Sequence, residues 1–242
     1  MTTEEFQRNK GILHLLLWKI AYKINNYGKI ILGRTRWLKI LLNLHWQLKR
    51  ILFEESGKQF GLEFQESALA TSSSLLLKYI KHGYRILDLG CGSGHWSNKA
   101  GLLGGEVTGV DSSASLLSQA RNQYPGITFI NQDIFSYIES SPNFDLVLLI
   151  HVLEHLESPS ELLKKLLNKT RMILIEVPDM AADPLNWSRK QLKLPYYSDL
   201  DHLREYDLGS LINLIESSGW TVLESIIRGS SISVIVIYNP KN

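Results

Sequence analysis

Arg85-Ile86-Leu87-Asp88-Leu89-Gly90-Cys91-Gly92-Ser93-Gly94-His95-Trp96-Ser97 is the stretch whose reading decides the fold. Residues 85–89 read as a short buried strand, apolar at Ile86, Leu87 and Leu89. Gly90, Gly92 and Gly94 then make a turn that residues without a Cβ follow freely and that lets a ligand approach the backbone. From about His95 the pattern turns helical, so the turn's N–H groups and a helix N-terminus face whatever sits there. The Gly-x-Gly-x-Gly spacing differs from the Gly-x-Gly-x-x-Gly expected where a pyrophosphate rests on the helix end. Asp88, two residues before the first glycine, would repel a diphosphate and attract a cation. No Lys-Ser or Lys-Thr pair follows, which excludes a nucleoside-triphosphate loop.

Outward from this turn, Val107 to Asp111 is a second buried strand ending in an acid. Asp111 falls 21 residues after Gly90, about the distance at which a strand-end carboxylate reaches a ribose diol. A third strand, Ile127 to Asn131, runs into Gln132-Asp133-Ile134, which places Asp133 to accept from an exocyclic amine. Further strands are expected at 144–150 and 171–177, with helices at 65–82, 95–103, 114–123, 159–168 and 207–218. Thr221–Ile227 and Ser231–Tyr238 read as a terminal hairpin through Gly229. Alternating strands and helices of this kind make an α/β doubly wound parallel sheet with helices on both faces. Between Pro178 and the last helix the rhythm breaks, giving an insert at 179–206 with Trp187, Tyr196 and Tyr197, too long for a plain connection.

In this order the pieces resemble the class I S-adenosylmethionine-dependent methyltransferases, over roughly Leu75 to Tyr238. Within that family they look most like the small-molecule group that includes many O-methyltransferases. The resemblance implies a mostly parallel seven-stranded, Rossmann-like sheet whose last strand is inserted antiparallel. It implies S-adenosyl-L-methionine as cofactor, with Gly90, Gly92 and Gly94 facing the methionine part and Asp88 its ammonium group. Asp111, with Ser112 beside it, would take the ribose hydroxyls, and Asp133 and Ile134 would meet the adenine. Cys91 fits that turn as a small lining side chain, not a nucleophile, and Ile150 with His151 should line cofactor and acceptor.

After the fourth strand, His151, Glu154 and His155 spell His-x-x-Glu-His, the wording of one class of zinc peptidases. Zinc would need both histidines on a long helix and a further protein ligand; here the motif leaves a buried strand and is cut off by Ser158-Pro159, so no metal is expected. The resemblance instead makes His155, and His202 before the last helix, candidate bases for an acceptor hydroxyl. The cations Arg189, Lys190 and Lys193 in the insert, or Arg204, would suit an anionic acceptor.

The 242 residues make one domain with an appendage. Residues 1–60 carry eleven Lys/Arg against four acids and the remainder fifteen against twenty, about +7 and −5. Residues 1–64 therefore read as a basic helical N-terminal cap and 65–242 as the methyltransferase domain. In the cap Trp37, Leu41, Leu44, Leu48 and Ile51 recur at helical spacing. Two readings stay open for it: a cap packed on the domain, or a peripheral contact with an anionic membrane or an acidic partner. Ile12–Ile24 is too short and too charged to span a bilayer, and the acids Glu4 and Glu5 do not suit a secretory leader. With a single cysteine, this predicts a cytoplasmic protein. The expected partner is a small-molecule acceptor, methylated at a hydroxyl or carboxylate oxygen, with nitrogen, carbon or a membrane lipid or quinone as alternatives and a non-catalytic binding module as the last of them. The catalytic part has no basic stripe and no Asn-Pro-Pro-Tyr loop, so nucleic acid is not expected.

Overall fold

The computed structural model describes residues 12–68, 70–195 and 201–238. The insert's Tyr196 and Tyr197 and the first residues, with Glu4 and Glu5, lie outside the described residues. In chain order the helices are α1 (Ile12–Leu32), α2 (Arg34–Ala68), α3 (Ala70–Tyr79), α4 (His95–Leu102), α5 (Ala114–Gln123), α6 (Ile134–Ser140), α7 (Pro159–Leu166), α8 (Pro184–Gln191) and α9 (Leu208–Ser217). The strands are β1 (Arg85–Leu89), β2 (Glu106–Asp111), β3 (Thr128–Asn131), β4 (Leu146–Ile150), β5 (Met172–Pro178), β6 (Thr221–Arg228) and β7 (Ser231–Ile237). Contacts divide the chain into two units, Leu62–Asn186 with Tyr196–Asn242, and Met1–Gly61 with Trp187–Pro195.

The first unit is built on one seven-stranded sheet in the order β3-β2-β1-β4-β5-β7-β6. The pairs joining β1 to β5 on either side are parallel, and β7 runs antiparallel to β5 and β6. Side chains alternate between the faces along each strand. Leu87, Leu89, Val147, Leu149, Ile173 and Ile175 face one helical layer, and Ile86, Leu146, Leu148 and Leu174 face the other. Because helices cover both faces, all five residues of β4 are buried. The order reverses beside β1, where β2 and β4 leave in opposite directions, and an open α/β sheet binds ligands at the carboxyl ends of the strands at that point.

Two helices escape the periodicity reading. α6 is seven residues long and rich in aromatic and β-branched side chains, so its start shows only in Asp133, whose carboxylate accepts from Ser136 N at 3.0 Å. α8 lies within the insert and begins at Pro184, a residue suited to the first helical position. The expected start of a helix at Gln65 falls inside α2.

The second unit holds α1 and most of α2, joined at Gly33 with φ +76°. Gly28 lies against Trp37, whose indole Nε1 donates to Asn25 Oδ1 at 2.8 Å. Arg189 is only 2% exposed, donating to Leu42 O at 2.5 Å, Asn43 Oδ1 at 3.1 Å and Pro195 O, and lying over the Trp46 ring. Its charge is thus committed to this unit and withdrawn from any role in greeting an anionic acceptor.

Candidate functional site

Strand β1 delivers Asp88 fully buried, and the first turn of α4 brings Ser97 to it, with Ser97 Oγ donating to Asp88 Oδ2 at 2.6 Å. Burial raises the Asp88 carboxyl, the Ser97 hydrogen bond opposes this in part, and the charge of Asp111 adds to the rise, leaving it at about 7. A buried acid of this kind is short of a cation. The folded state keeps a proton that the unfolded chain gives up near 3.8, so this group's stabilising contribution is full below about pH 4 and lost as pH climbs to about 7. The loss of melting temperature of the ligand-free protein across that window should therefore flatten in Asp88→Asn; an unchanged slope would show that Asp88 is ionised throughout.

The glycine turn crosses between β1 and β2. Gly90 N and Cys91 N both donate to Val110 O, while Gly92 N donates to Asp111 Oδ2 at 2.9 Å and Ser113 N to Asp111 Oδ1 at 2.8 Å. Asp111 is thus clamped across the mouth of the turn, and each of its oxygens keeps a further lone pair for a ligand hydroxyl. Asn131 Nδ2 holds the same corner by donating to Asp111 O and Ser112 O, and the Ser112 side chain is exposed.

All three glycines have positive φ, 68° at Gly90, 52° at Gly92 and 82° at Gly94. Their surroundings differ. A Cβ on Gly90 would meet Val152 at 2.8 Å and one on Gly94 would meet Phe129 at 2.6 Å, whereas one on Gly92 would meet nothing within 4 Å among the described residues. Gly90 and Gly94 therefore serve packing as well as turn geometry, and Gly92 borders open space. Gly94→Ala should cost about 2–4 kcal/mol of stability, strain plus overpacking. Gly92→Ala should cost only about 1–2 kcal/mol while weakening cofactor binding, a contrast read from paired melts and titrations. Cys91 is buried, its sulfur close to Gly109, and burial followed by the charges of Asp88 and Asp111 pushes its thiol up, which suits a lining side chain and not a nucleophile.

Asp133 follows β3, is exposed, and spends Oδ1 on capping α6. Ile134 packs half-buried against the core beside it. Ile150 is 6% exposed and belongs to the core cluster of Trp96 and Leu148.

Beyond β4 the backbone turns through His151 with φ +56°. His151 Nδ1 lies 3.2 Å from Glu154 Oε1 and Nε2 lies 3.2 Å from Glu176 Oε1 of β5. Burial works against its charge, but the two carboxylates outweigh that and hold it at about 9, so it is an imidazolium at neutral pH. Leu153–His155 form a single 3₁₀ turn, and His155 meets His202 edge-on at 4.6 Å between ring centres. Each ring has a carboxylate at Nδ1, Asp201 at 3.3 Å from His155 and Glu205 at 2.9 Å from His202. His155 is half-buried, and His202 is 8% exposed. Glu154 is fully buried, with Oε2 lacking a hydrogen-bond partner among the described residues.

The structure thus joins His155 and His202 and ties His151 into a separate buried pair of acids. Glu154, His155 and His202 offer one ligand atom each within 4.8 Å, close enough to receive a cation. The zinc-peptidase wording pointed at His151 with His155, and neither stands on a long helix. The sequence names Glu154 only within the zinc-peptidase wording and gives no sign of Asp201 and Glu205; these two lie within three residues of His202, and only folding brings Asp201 to His155. A cavity of about 750 Å³ beside α7 is lined by Glu157, Lys164, Arg204 and Leu214 and includes none of the glycine-turn residues or strand-end acids.

A family model described as a methyltransferase domain matches residues 62–225, more than half of the chain. A ubiquinone biosynthesis O-methyltransferase of Coxiella burnetii is 36% identical over 97 residues, covering 36% of this chain and 42% of that protein. A trans-aconitate 2-methyltransferase of Rhizobium etli is 28% identical over 137 residues, covering 53% and 52%. The chain therefore spans about half or less of the length of these curated relatives. Among solved structures, magnesium protoporphyrin IX methyltransferase from Synechocystis PCC 6803 with bound SAH superposes with TM-score 0.58 at 16% identity, covering 72% of this chain and 83% of that one. A SAM-dependent methyltransferase from Archaeoglobus fulgidus gives 0.54 at 20% identity, covering 73% and 98%. With its sheet order, glycine turn and strand-end acids, the chain belongs to the methyltransferase-domain family, the class I S-adenosylmethionine-dependent methyltransferases.

Proposed function

We propose that this protein transfers the methyl group of S-adenosylmethionine to an oxygen of a small-molecule acceptor. The observation that carries the reading is the clamp at the switch point, where Asp111 spans the turn at Gly92 and the buried Asp88 sits one strand away. The bound cofactor supplies an electrophilic methyl on a sulfonium. Asp88 would hold its ammonium group, Gly92 its approach to the backbone, Asp111 the ribose diol, and Asp133 with Ile134 the adenine. An ammonium binds the ionised form of Asp88, so cofactor affinity should rise with pH up to about 7, by as much as about tenfold per unit.

Methyl transfer by in-line displacement draws most of its acceleration from positioning. For a hydroxyl acceptor the proton must also leave. His155, backed by Asp201 at Nδ1 and braced edge-on by His202, is suited to accept it through Nε2. Oxygen as the acceptor atom draws support from the O-methyltransferase among the relatives. The test is transfer of labelled methyl to matched acceptors carrying a phenol, a carboxylate or an amine. Preference for the phenol or carboxylate is expected, and preference for the amine would overturn the oxygen assignment.

A second reading is favoured by the cluster of Glu154, His155 and His202, in which a divalent cation binds the acceptor oxygen and lowers its pKa. Activity that survives chelator treatment supports the imidazole. Activity lost to chelator and restored by added Mg²⁺ or Zn²⁺ supports the cation.

A further inference from the structure

Residues 12–53 contain eight Lys or Arg side chains and no Asp or Glu. On α1, Leu16, Ile20, Ile24, Tyr27 and Ile31 follow one another at spacings of three and four, so they share one face. All five are exposed, from 44% at Ile20 to 75% at Ile31. Lys19 and Lys23 border that stripe on the same helix. On α2, Leu41, Leu44, Leu48 and Ile51 form a second stripe, also exposed. What the unit does bury lies off that stripe, since Arg189 engages α2 at Leu42, Asn43 and Trp46. Trp18 and Tyr22 stand exposed as a ring pair 4.7 Å apart.

Apolar faces of this extent mark an interaction surface, and the charge identifies the occupant. A second copy docking the same face would set one strongly basic segment against another, with Lys19 and Lys23 beside the stripe on each. An anionic bilayer instead offers hydrocarbon for the stripes, headgroup phosphates for the Lys and Arg side chains, and an interfacial layer that aromatic rings favour. No described helix is long and apolar enough to cross a membrane, which fits helices lying in the headgroup plane. We propose that the exposed apolar stripes of α1 and α2, with the cations beside them, dock this protein on an anionic membrane surface. The proposal stands on the N-terminal unit alone and does not depend on the methyl-transfer reading.

The test is flotation of the full chain with vesicles of phosphatidylcholine alone, and of phosphatidylcholine mixed with anionic phosphatidylglycerol. Binding is expected to the anionic vesicles only and should be released by high salt, which shortens the range of the attraction. Lys19→Glu with Lys23→Glu should weaken it roughly tenfold or more, as should Ile24→Asn with Ile31→Asn. These exposed positions lie outside the sheet-bearing unit, so unchanged melts and S-adenosylmethionine titrations would show that the variants are intact. Equal binding to both vesicles, indifference to salt or charge reversal, or a stable dimer by light scattering with no vesicle binding would each overturn the proposal.

Discussion

His155→Ala is expected to lower kcat by about 10²-fold or more for a hydroxyl acceptor, while affinity for S-adenosylmethionine stays within about twofold of wild type. The magnitude is that of general-base help, typically about 10²–10⁴-fold. The separation follows from geometry: His155 lies beyond β4 on its 3₁₀ turn, and Asp88, Gly92 and Asp111 belong to β1, β2 and the turn between them. His202→Ala should lower kcat by at least about tenfold, because the ring that braces His155 is lost. It also strips Glu205, buried with it, of a partner, so His202→Asn is the better probe of positioning. A carboxylate acceptor needs no base, so with one both variants should keep kcat and show their loss in KM. Arg204 would then be a candidate to hold it, since its guanidinium, donating to Glu157 O, is not spent as Arg189 is. Retention of wild-type kcat toward a hydroxyl acceptor by both variants, each melting normally, would rule the histidine mechanism out.

Asp111→Ala is expected to weaken S-adenosylmethionine binding by about tenfold to a hundredfold, the worth of one charge-assisted hydrogen-bonding group. Part of that loss has a second origin. The carboxylate accepts from Gly92 N and Ser113 N, so its removal frees the turn as well as ending the proposed ribose contact. Asp111→Asn separates the two: its amide oxygen can still accept one backbone bond, but it cannot offer two anionic oxygens to a diol. Calorimetry showing unchanged affinity in both variants would sink the ribose assignment.

Much of the sheet was legible because each strand carries its own signal. The runs at 86–89 and 146–150 are buried on both faces, and the glycine turn and strand-end acids punctuate them. The alternation of strands and helices pointed to a parallel sheet and the antiparallel last strand came from family resemblance, whereas the strand order is visible only in the structure, since period alone does not set it. α6 was illegible by periodicity because Asp133, the residue announcing it, was given wholly to a ligand when one of its oxygens caps the helix. The His155–His202 pair lies 47 positions apart in sequence, and nothing in its local spacing tells that the rings meet. His151 read as a residue lining cofactor and acceptor, and folding adds what its spacing does not tell, that Glu176 on β5 joins Glu154 beside it and makes it a half-buried cation. Arg189 read as a surface charge, and its burial against Leu42, Asn43 and Trp46 is visible only in three dimensions.

The central claim is that the glycine turn with Asp88 and Asp111 holds S-adenosylmethionine. Calorimetric titration of the full chain with S-adenosylmethionine and, side by side, with NADH tests it most directly. Saturable binding of one S-adenosylmethionine per chain, tighter at pH 7.5 than at pH 6 as Asp88 ionises through about 7, with no heat from NADH, is the predicted result. Preference for NADH, or no binding of S-adenosylmethionine by protein that melts as a folded chain, would contradict it.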